Sequence, residues 1–122
     1  MIRILVIDDS EVIRRLLEDY LTDLGYRVDT AEDGLKGVEK ALAGDYQIII
    51  CDMHMPKKDG PDVYSDVTSR KPDVAFIMTD SLPGDTADTG GHPTGWSCLR
   101  KPFDLAEVQQ MLDSLRSTIK TR

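Results

Sequence analysis

Asp8 and Asp9, Asp52, Thr79 and Lys101 are the side chains whose types and spacing could do chemistry. Each lies at or just past the end of a short apolar run: Ile4-Leu5-Val6-Ile7, Gln47-Ile48-Ile49-Ile50-Cys51, Val74-Ala75-Phe76-Ile77-Met78, and Trp96 to Leu99. In an open parallel sheet, ligands bind beyond the carboxyl ends of the strands. Neighbouring strands lie about 4.8 Å apart, so three carboxylates converge if the first and third strands are adjacent. Such a trio repels itself in a partly desolvated site. A hard divalent cation with oxygen ligands, Mg²⁺ being the expected ion, removes the conflict. Lys101 adds one more positive charge and Thr79 a hydroxyl donor. The set has no base to activate a nucleophile, but phosphoryl transfer depends chiefly on positioning and on neutralising charge. An aspartate can itself attack and form an acyl phosphate.

The elements that must hold these residues alternate along the chain. The run at Ile4–Ile7 is rich in β-branched residues and predicts a buried strand. Val12, Ile13, Leu16, Leu17, Tyr20, Leu21 and Leu24 follow at helical spacing, and Gly25 ends them. Tyr26 to Thr30 is a second strand. Leu35, Val38 and Leu42 mark a short helix, and Gln47–Cys51 a third strand. After the loop from Asp52 to Gly60, Pro61 opens a helix with Val63 and Val67 on its apolar side. Val74–Met78 and Trp96–Leu99 complete five strands. Asp104, with Glu107 three residues on, has the form of a capping box before a helix striped by Leu105, Val108, Met111 or Leu112, Leu115 and Ile119. The alternation (βα) five times predicts a parallel sheet with helices on both faces. Between Thr79 and Trp96 stand Pro83, Gly84, Gly90, Gly91, Pro93 and Gly95 with almost no apolar stripe, so the fourth helix is expected to be short or irregular.

At 122 residues, with no repeat and no linker, residues 1–122 are expected to form one domain. A net charge of −7 argues against general affinity for nucleic acid, which needs Lys and Arg to neutralise phosphates. Apolar runs fall well short of the roughly 20 residues that span a bilayer, so no membrane partner is expected, and a cytoplasmic location follows as the expectation. Cys51 and Cys98 make neither a disulfide framework nor a zinc site.

Together, Ile7-Asp8-Asp9-Ser10, Asp52-Met53-His54-Met55-Pro56-Lys57-Lys58-Asp59-Gly60, Met78-Thr79 and Lys101-Pro102-Phe103 resemble the receiver domain of two-component response regulators over essentially the whole chain. The resemblance implies a flavodoxin-like three-layer α/β sandwich with strand order 2-1-3-4-5. It implies Asp52 as phosphoacceptor, and Mg²⁺ held by Asp9, by Asp8 through a water, by Asp52 and by the backbone carbonyl of His54. Thr79 and Lys101 would each contact a phosphoryl oxygen, and the bond before Pro102 would be cis. The donor would be a histidine kinase or a histidine phosphotransfer protein, and a downstream protein target is a further candidate partner. Such a module is not an enzyme beyond catalysing its own phosphorylation and dephosphorylation.

Three positions depart from the family pattern. Cys98 stands where Tyr or Phe is usual, which puts the aromatic route to the output face in doubt. Asp80 follows Thr79 where Ala or Gly is usual; outward turning is the expectation, because a fourth carboxylate at the metal would be costly. The Pro83–Gly95 stretch replaces a normal fourth helix, as an altered partner surface or a segment that orders on binding. His54 is expected to be a rim residue, His92 has no ligand spacing with it, and Trp96 is expected to be a packing anchor. An aspartyl-phosphate phosphatase of the haloacid dehalogenase type would need Asp-x-Asp, and a flavodoxin would not put Asp8-Asp9-Ser10-Glu11 at its phosphate loop. A degenerate receiver that binds partners without phosphorylation is the remaining alternative. Thr118 to Arg122 reads as a short tail, which fits either a stand-alone receiver or one cut from a longer regulator or hybrid kinase.

Overall fold

Strands β1 (Arg3–Ile7) and β3 (Ile48–Asp52) are apolar almost throughout because both of their faces are covered. The computed structural model describes residues 2–80 and 95–117. Around these two strands the sheet adds β2 (Arg27–Ala31), β4 (Ala75–Asp80) and β5 (Ser97–Arg100), all parallel, in the order β2-β1-β3-β4-β5. Period-two alternation sorts the side chains. Leu5, Ile7, Ile49 and Cys51 pack on one face with Ala41 of α2 (Gly34–Ala43) and Val63 and Val67 of α3 (Gly60–Thr68). On the other face, Ile4, Val6, Ile48 and Ile50 pack with Leu17 and Leu21 of α1 (Glu11–Asp23) and Val108 and Leu112 of α4 (Leu105–Arg116). Fully burying one such side chain stabilises the fold by about 1.5–3 kcal/mol. The edge strands β2 and β5 are only partly buried and more polar.

Each of the four described helices opens on a side-chain cap. Ser10, Asp33, Asp59 and Asp104 accept from the backbone N–H of Ile13, Lys36, Asp62 and Glu107. Losing one such cap costs about 1 kcal/mol. At Asp104 the capping box is complete, since Glu107 Oε1 accepts from the Asp104 N–H at 3.1 Å.

The structure departs from the sequence pattern in informative places. β3 and β4 run further than their apolar residues, to Asp52 and Asp80, because Thr79 O accepts from Met53 N and Asp80 O from Lys101 N, each at 2.8 Å. Asp52 and Thr79 are therefore paired residues of the ladder, not loop residues. Leu35 is exposed, and α2 instead buries Gly34, Gly37 and Ala41. Small residues are needed there: a Cβ on Gly37 would come within 2.6 Å of the Ile7 side chain. Val12 and Leu16 are likewise exposed, leaving Leu17 and Leu21 as the buried stripe of α1. The fourth helix expected between Pro83 and Gly95 lies, except for Gly95, outside the described residues.

Candidate phosphoacceptor site

Three strand ends converge on one cluster. Asp8, just beyond β1, is buried and held from three directions. Its Oδ1 accepts from Ser10 N at 2.8 Å, its carbonyl from Arg14 Nη1 at 2.7 Å, and its Oδ2 from Lys101 Nζ at 3.0 Å. Asp52 ends β3, also buried; its Oδ1 accepts from His54 N at 3.3 Å and its Oδ2 lies 3.5 Å from Lys101 Nζ. Asp9 is exposed, yet one carboxylate oxygen from each of Asp8, Asp9 and Asp52 falls within 4.8 Å of the others. Lys101 reaches them from the end of β5, immediately before a cis Lys101–Pro102 bond, as the family resemblance implied.

Charge in the cluster is unbalanced. Burial pushes the Asp52 carboxyl above the usual carboxylate range; Lys101 and the His54 N–H pull it down, while Asp8 and Asp9 push it further up. Burial works against the Lys101 ammonium, but Asp8 and Asp52 outweigh it and hold the lysine above its ordinary value. An oxygen-liganded divalent cation would offset the remaining excess, and three carboxylate oxygens at this spacing are the donor set it prefers. The second sign of fit is Thr79, whose Cα pairs with that of Asp52 across the ladder. Its Oγ1 is buried and has no hydrogen-bond partner among the described residues. A buried hydroxyl left so is costly unless a ligand oxygen comes to it.

The loop after β3, residues 53–59, is clamped in place. A Cβ on Gly34 would sit 2.1 Å from Lys58 O, so only glycine lets the start of α2 approach this loop so closely. Lys57 takes the left-handed conformation, with φ 72°, and its Nζ lies 3.5 Å from Asp33 Oδ2. A hydrogen bond from Lys36 N holds the Asp33 carboxyl below its usual value, against burial and with help from Lys57. Lys58 Nζ donates to Asp66 Oδ2 at 2.6 Å. Sequence reasoning missed this clamp; its only trace there is Asp33-Gly34 at the head of a helix.

The expectation for Asp80 is corrected. Its side chain does not turn out to solvent: it is buried, with Oδ1 3.5 Å from His54 Nε2. The physical reason is continuation of β4, which keeps residue 80 in the ladder where its side chain alternates inward beside Met78. His54 is half-exposed at the rim, as expected. Cys98 is partly buried on β5, and burial, then the Asp80 charge, push its thiol up. Trp96 packs edge-on against Tyr64, with ring centroids 5.0 Å apart, and so is the anchor expected of it.

Comparison with known proteins agrees with this geometry. The family model of the response regulator receiver domain matches residues 4–113. The transcriptional regulatory protein ResD of Bacillus subtilis is 38% identical over 108 residues, covering 87% of this chain and 44% of ResD. The chain thus spans about half the length of the curated relatives it matches. Among solved structures, the chemotaxis protein CheY4 of Vibrio cholerae superposes with a TM-score of 0.83 at 28% identity, covering 93% of this chain and 98% of that one. The response regulator TrrA of Thermotoga maritima, solved with Mg²⁺ and BeF, gives 0.82 at 30% identity over 94% of this chain and 99% of that one. TrrA has also been solved in complex with the histidine kinase ThkA. Strand order, paired strand ends and sequence similarity along the chain lead to one family, and the protein belongs to the response regulator receiver domains.

Proposed function

We propose that the chain accepts a phosphoryl group from a phosphohistidine onto Asp52 and signals by the change in shape that follows. The observation that carries this reading is the buried Thr79 Oγ1, without a hydrogen-bond partner among the described residues, beside an acceptor carboxylate that Lys101 already contacts. An Asp52 oxygen attacks phosphorus, the P–N bond breaks, and its electron pair returns to the imidazole nitrogen. Thr79 Oγ1 donates to one phosphoryl oxygen, and Lys101 Nζ turns from Asp8 and Asp52 to another. Asp8, Asp9, Asp52 and the His54 carbonyl would hold Mg²⁺, which when bound neutralises charge on the transferred group. No base is needed, because the carboxylate is the nucleophile.

The donor is a histidine kinase or a histidine phosphotransfer protein, a reading supported by the TrrA–ThkA complex and by the exposed Val12 and Leu16 on α1. The chain's own chemistry is limited to its phosphorylation and dephosphorylation. A net charge of −7 disfavours direct nucleic-acid contact, and no described helix is long and apolar enough to cross a membrane. The reading is therefore of a cytoplasmic module that passes its signal to a protein target.

Incubation with acetyl phosphate and Mg²⁺, followed by intact mass measurement, should show a phosphate-sized gain that Asp52→Asn abolishes. If the wild type neither gains this mass nor binds beryllofluoride, the reading passes to a phosphorylation-independent interaction module. Buried Asp80, a negative charge close to the acceptor strand, is the observation that would favour that alternative.

A further inference from the structure

Asp33 caps α2, yet capping does not account for where it lies. Of the caps on the four described helices it alone is buried, at 4% exposure. Capping uses one of its oxygens, Oδ1, which accepts from Lys36 N at 2.8 Å. Oδ2 instead lies 3.5 Å from Lys57 Nζ, in the loop that follows the acceptor. Both ends of that loop are tied, Met53 N donating to Thr79 O at 2.8 Å and Gly60 N to Met53 O at 2.9 Å. Its middle is a three-residue turn: Lys58 N donates to Pro56 O at 2.8 Å across Lys57, whose φ is 72°. Turns of that form are rare and strained, and a residue other than glycine keeps one only where surrounding contacts hold it. From Lys57 back to His54 the chain is stiff, since Pro56 fixes its own φ and restricts Met55 to extended conformations. Whatever holds Lys57 therefore bears on where His54 presents its carbonyl.

We infer that Asp33 and Lys57 form an ionic strut between α2 and the acceptor loop, and that this strut positions the His54 carbonyl for Mg²⁺. The inference rests on the phosphoacceptor reading and deepens it, since that carbonyl is one of the ligands assigned there. Neither side chain is itself a ligand; both are positioning residues. An ion pair with an exposed lysine is weak by itself. Its task here is small, to hold one turn in a loop already fixed at both ends. The sign of its effect sets it apart from simple electrostatics. As a mere positive charge near a cation site, Lys57 would weaken Mg²⁺ binding; as a strut it strengthens it.

The test is calorimetric titration of Mg²⁺ into the full chain, for the wild type, Lys57→Gln, Lys57→Arg and Asp33→Ser. Lys57→Gln keeps a long side chain and removes the charge. It should weaken Mg²⁺ binding about three- to fivefold, whereas Lys57→Arg should bind as the wild type does. Asp33→Ser retains a cap for Lys36 N but no charge for Lys57, and should weaken binding as Lys57→Gln does. Combining Asp33→Ser with Lys57→Gln should add nothing further, because each breaks the same contact. A second readout needs no metal: in chelator, the Lys58 amide should exchange faster in K57Q than in the wild type. Unchanged or tighter Mg²⁺ binding in K57Q overturns the strut, as does an equal loss in K57R, an additive loss in the double variant, or unchanged exchange at Lys58. The Lys57 side chain lies at the surface, so K57Q and K57R decide the matter even if D33S fails to fold. All these outcomes leave the acceptor reading intact while the wild type binds Mg²⁺ and labels with acetyl phosphate. A wild type that does neither removes that reading, and the strut with it.

Discussion

Two aspartates on this sheet have neighbours of similar kinds and respond in opposite ways. At the middle of β2, Asp29 accepts from Tyr46 Oη at 2.6 Å and lies 3.4 Å from Arg3 Nη2. The Tyr46 hydrogen bond, against burial and with help from Arg3, holds its carboxyl below the usual range. At the carboxyl ends, Asp52 has a lysine beside it and is pushed the other way, by burial and by two further carboxylates. At the first cluster one carboxylate meets a guanidinium and a hydroxyl. Arg3, whose buried Nε has no hydrogen-bond partner among the described residues, also lies over the Tyr46 ring at 4.7 Å, so charge rather than hydrogen-bond satisfaction is what is balanced there. At the second, three carboxylates share Lys101, and the Thr79 hydroxyl has no partner among the described residues. A balanced cluster contributes to the fold alone. An unbalanced one is held in place by the fold and is completed by a ligand.

Removing the cation from each cluster separates these roles most sharply. Lys101→Ala should slow labelling of Asp52 by acetyl phosphate about 10²- to 10³-fold, the usual loss when a preorganised charge partner of a transition state is deleted. Arg3→Ala should leave the labelling rate of the folded protein within about twofold while lowering its stability. A mass time course at fixed Mg²⁺ measures both. A similar loss in the two variants would mean that the clusters do not differ in role.

Next in size is the response to metal. Mg²⁺ at a hundred times its dissociation constant should stabilise the wild type by about 2.7 kcal/mol, read as a rise in melting midpoint. Asp8→Asn combined with Asp52→Asn should abolish that rise, whereas Tyr46→Phe should keep it. A Mg²⁺ response surviving in the double variant would place the cation elsewhere.

Which parts of this could be read from sequence depended on the kind of force involved. The runs at Ile4–Ile7 and Gln47–Cys51 announced buried strands because continuous apolar residues have few other uses, and the four motif pieces fell at the strand ends as expected. Where close approach governs, the pattern misled. Leu35 looked like the buried side of α2, but Gly34, Gly37 and Ala41 occupy that side because loop and strand come too near for anything larger. Asp80 was misjudged for a related reason: the expectation weighed its charge alone, while the ladder fixed its direction and His54 received it. Contacts between distant loops, such as Asp33 with Lys57, leave almost no mark in a single sequence.

A smaller effect tests the balance of each cluster directly. In the absence of divalent cations, Tyr46→Phe should destabilise the protein by about 1 kcal/mol, the usual net worth of a side-chain hydrogen bond. Tyr46 itself is pushed up to about 12, by burial and then by Asp29, so its hydroxyl stays protonated and donating throughout the useful range. Asp52→Asn should do the reverse and stabilise, because it removes one of three mutually repelling carboxylates. Urea denaturation in chelator measures both signs. Destabilisation by Asp52→Asn would mean that Lys101 already outweighs the repulsion.

The smallest expected effect is also the most diagnostic, because its sign with pH differs between the two clusters. Asp52 is raised above 3.8, so the folded protein holds that proton more tightly than the unfolded chain does. Its contribution is then fully present below 3.8 and is lost as pH rises through the folded value. The advantage of Asp52→Asn over wild type should accordingly be absent near pH 3.5, grow as pH rises through the acid range, and then level off. Asp29 is lowered below 3.8, so its contribution is present above that value and lost as pH falls through the folded one. The deficit of Asp29→Asn should be constant at neutral pH and fade only in stronger acid. Metal-free denaturation of the three proteins at several pH values gives both curves. If the two differences bend in the same direction, the contrast between a balanced and an unbalanced cluster fails, since only an excess of carboxylate at Asp52 makes ionisation itself unfavourable to the fold.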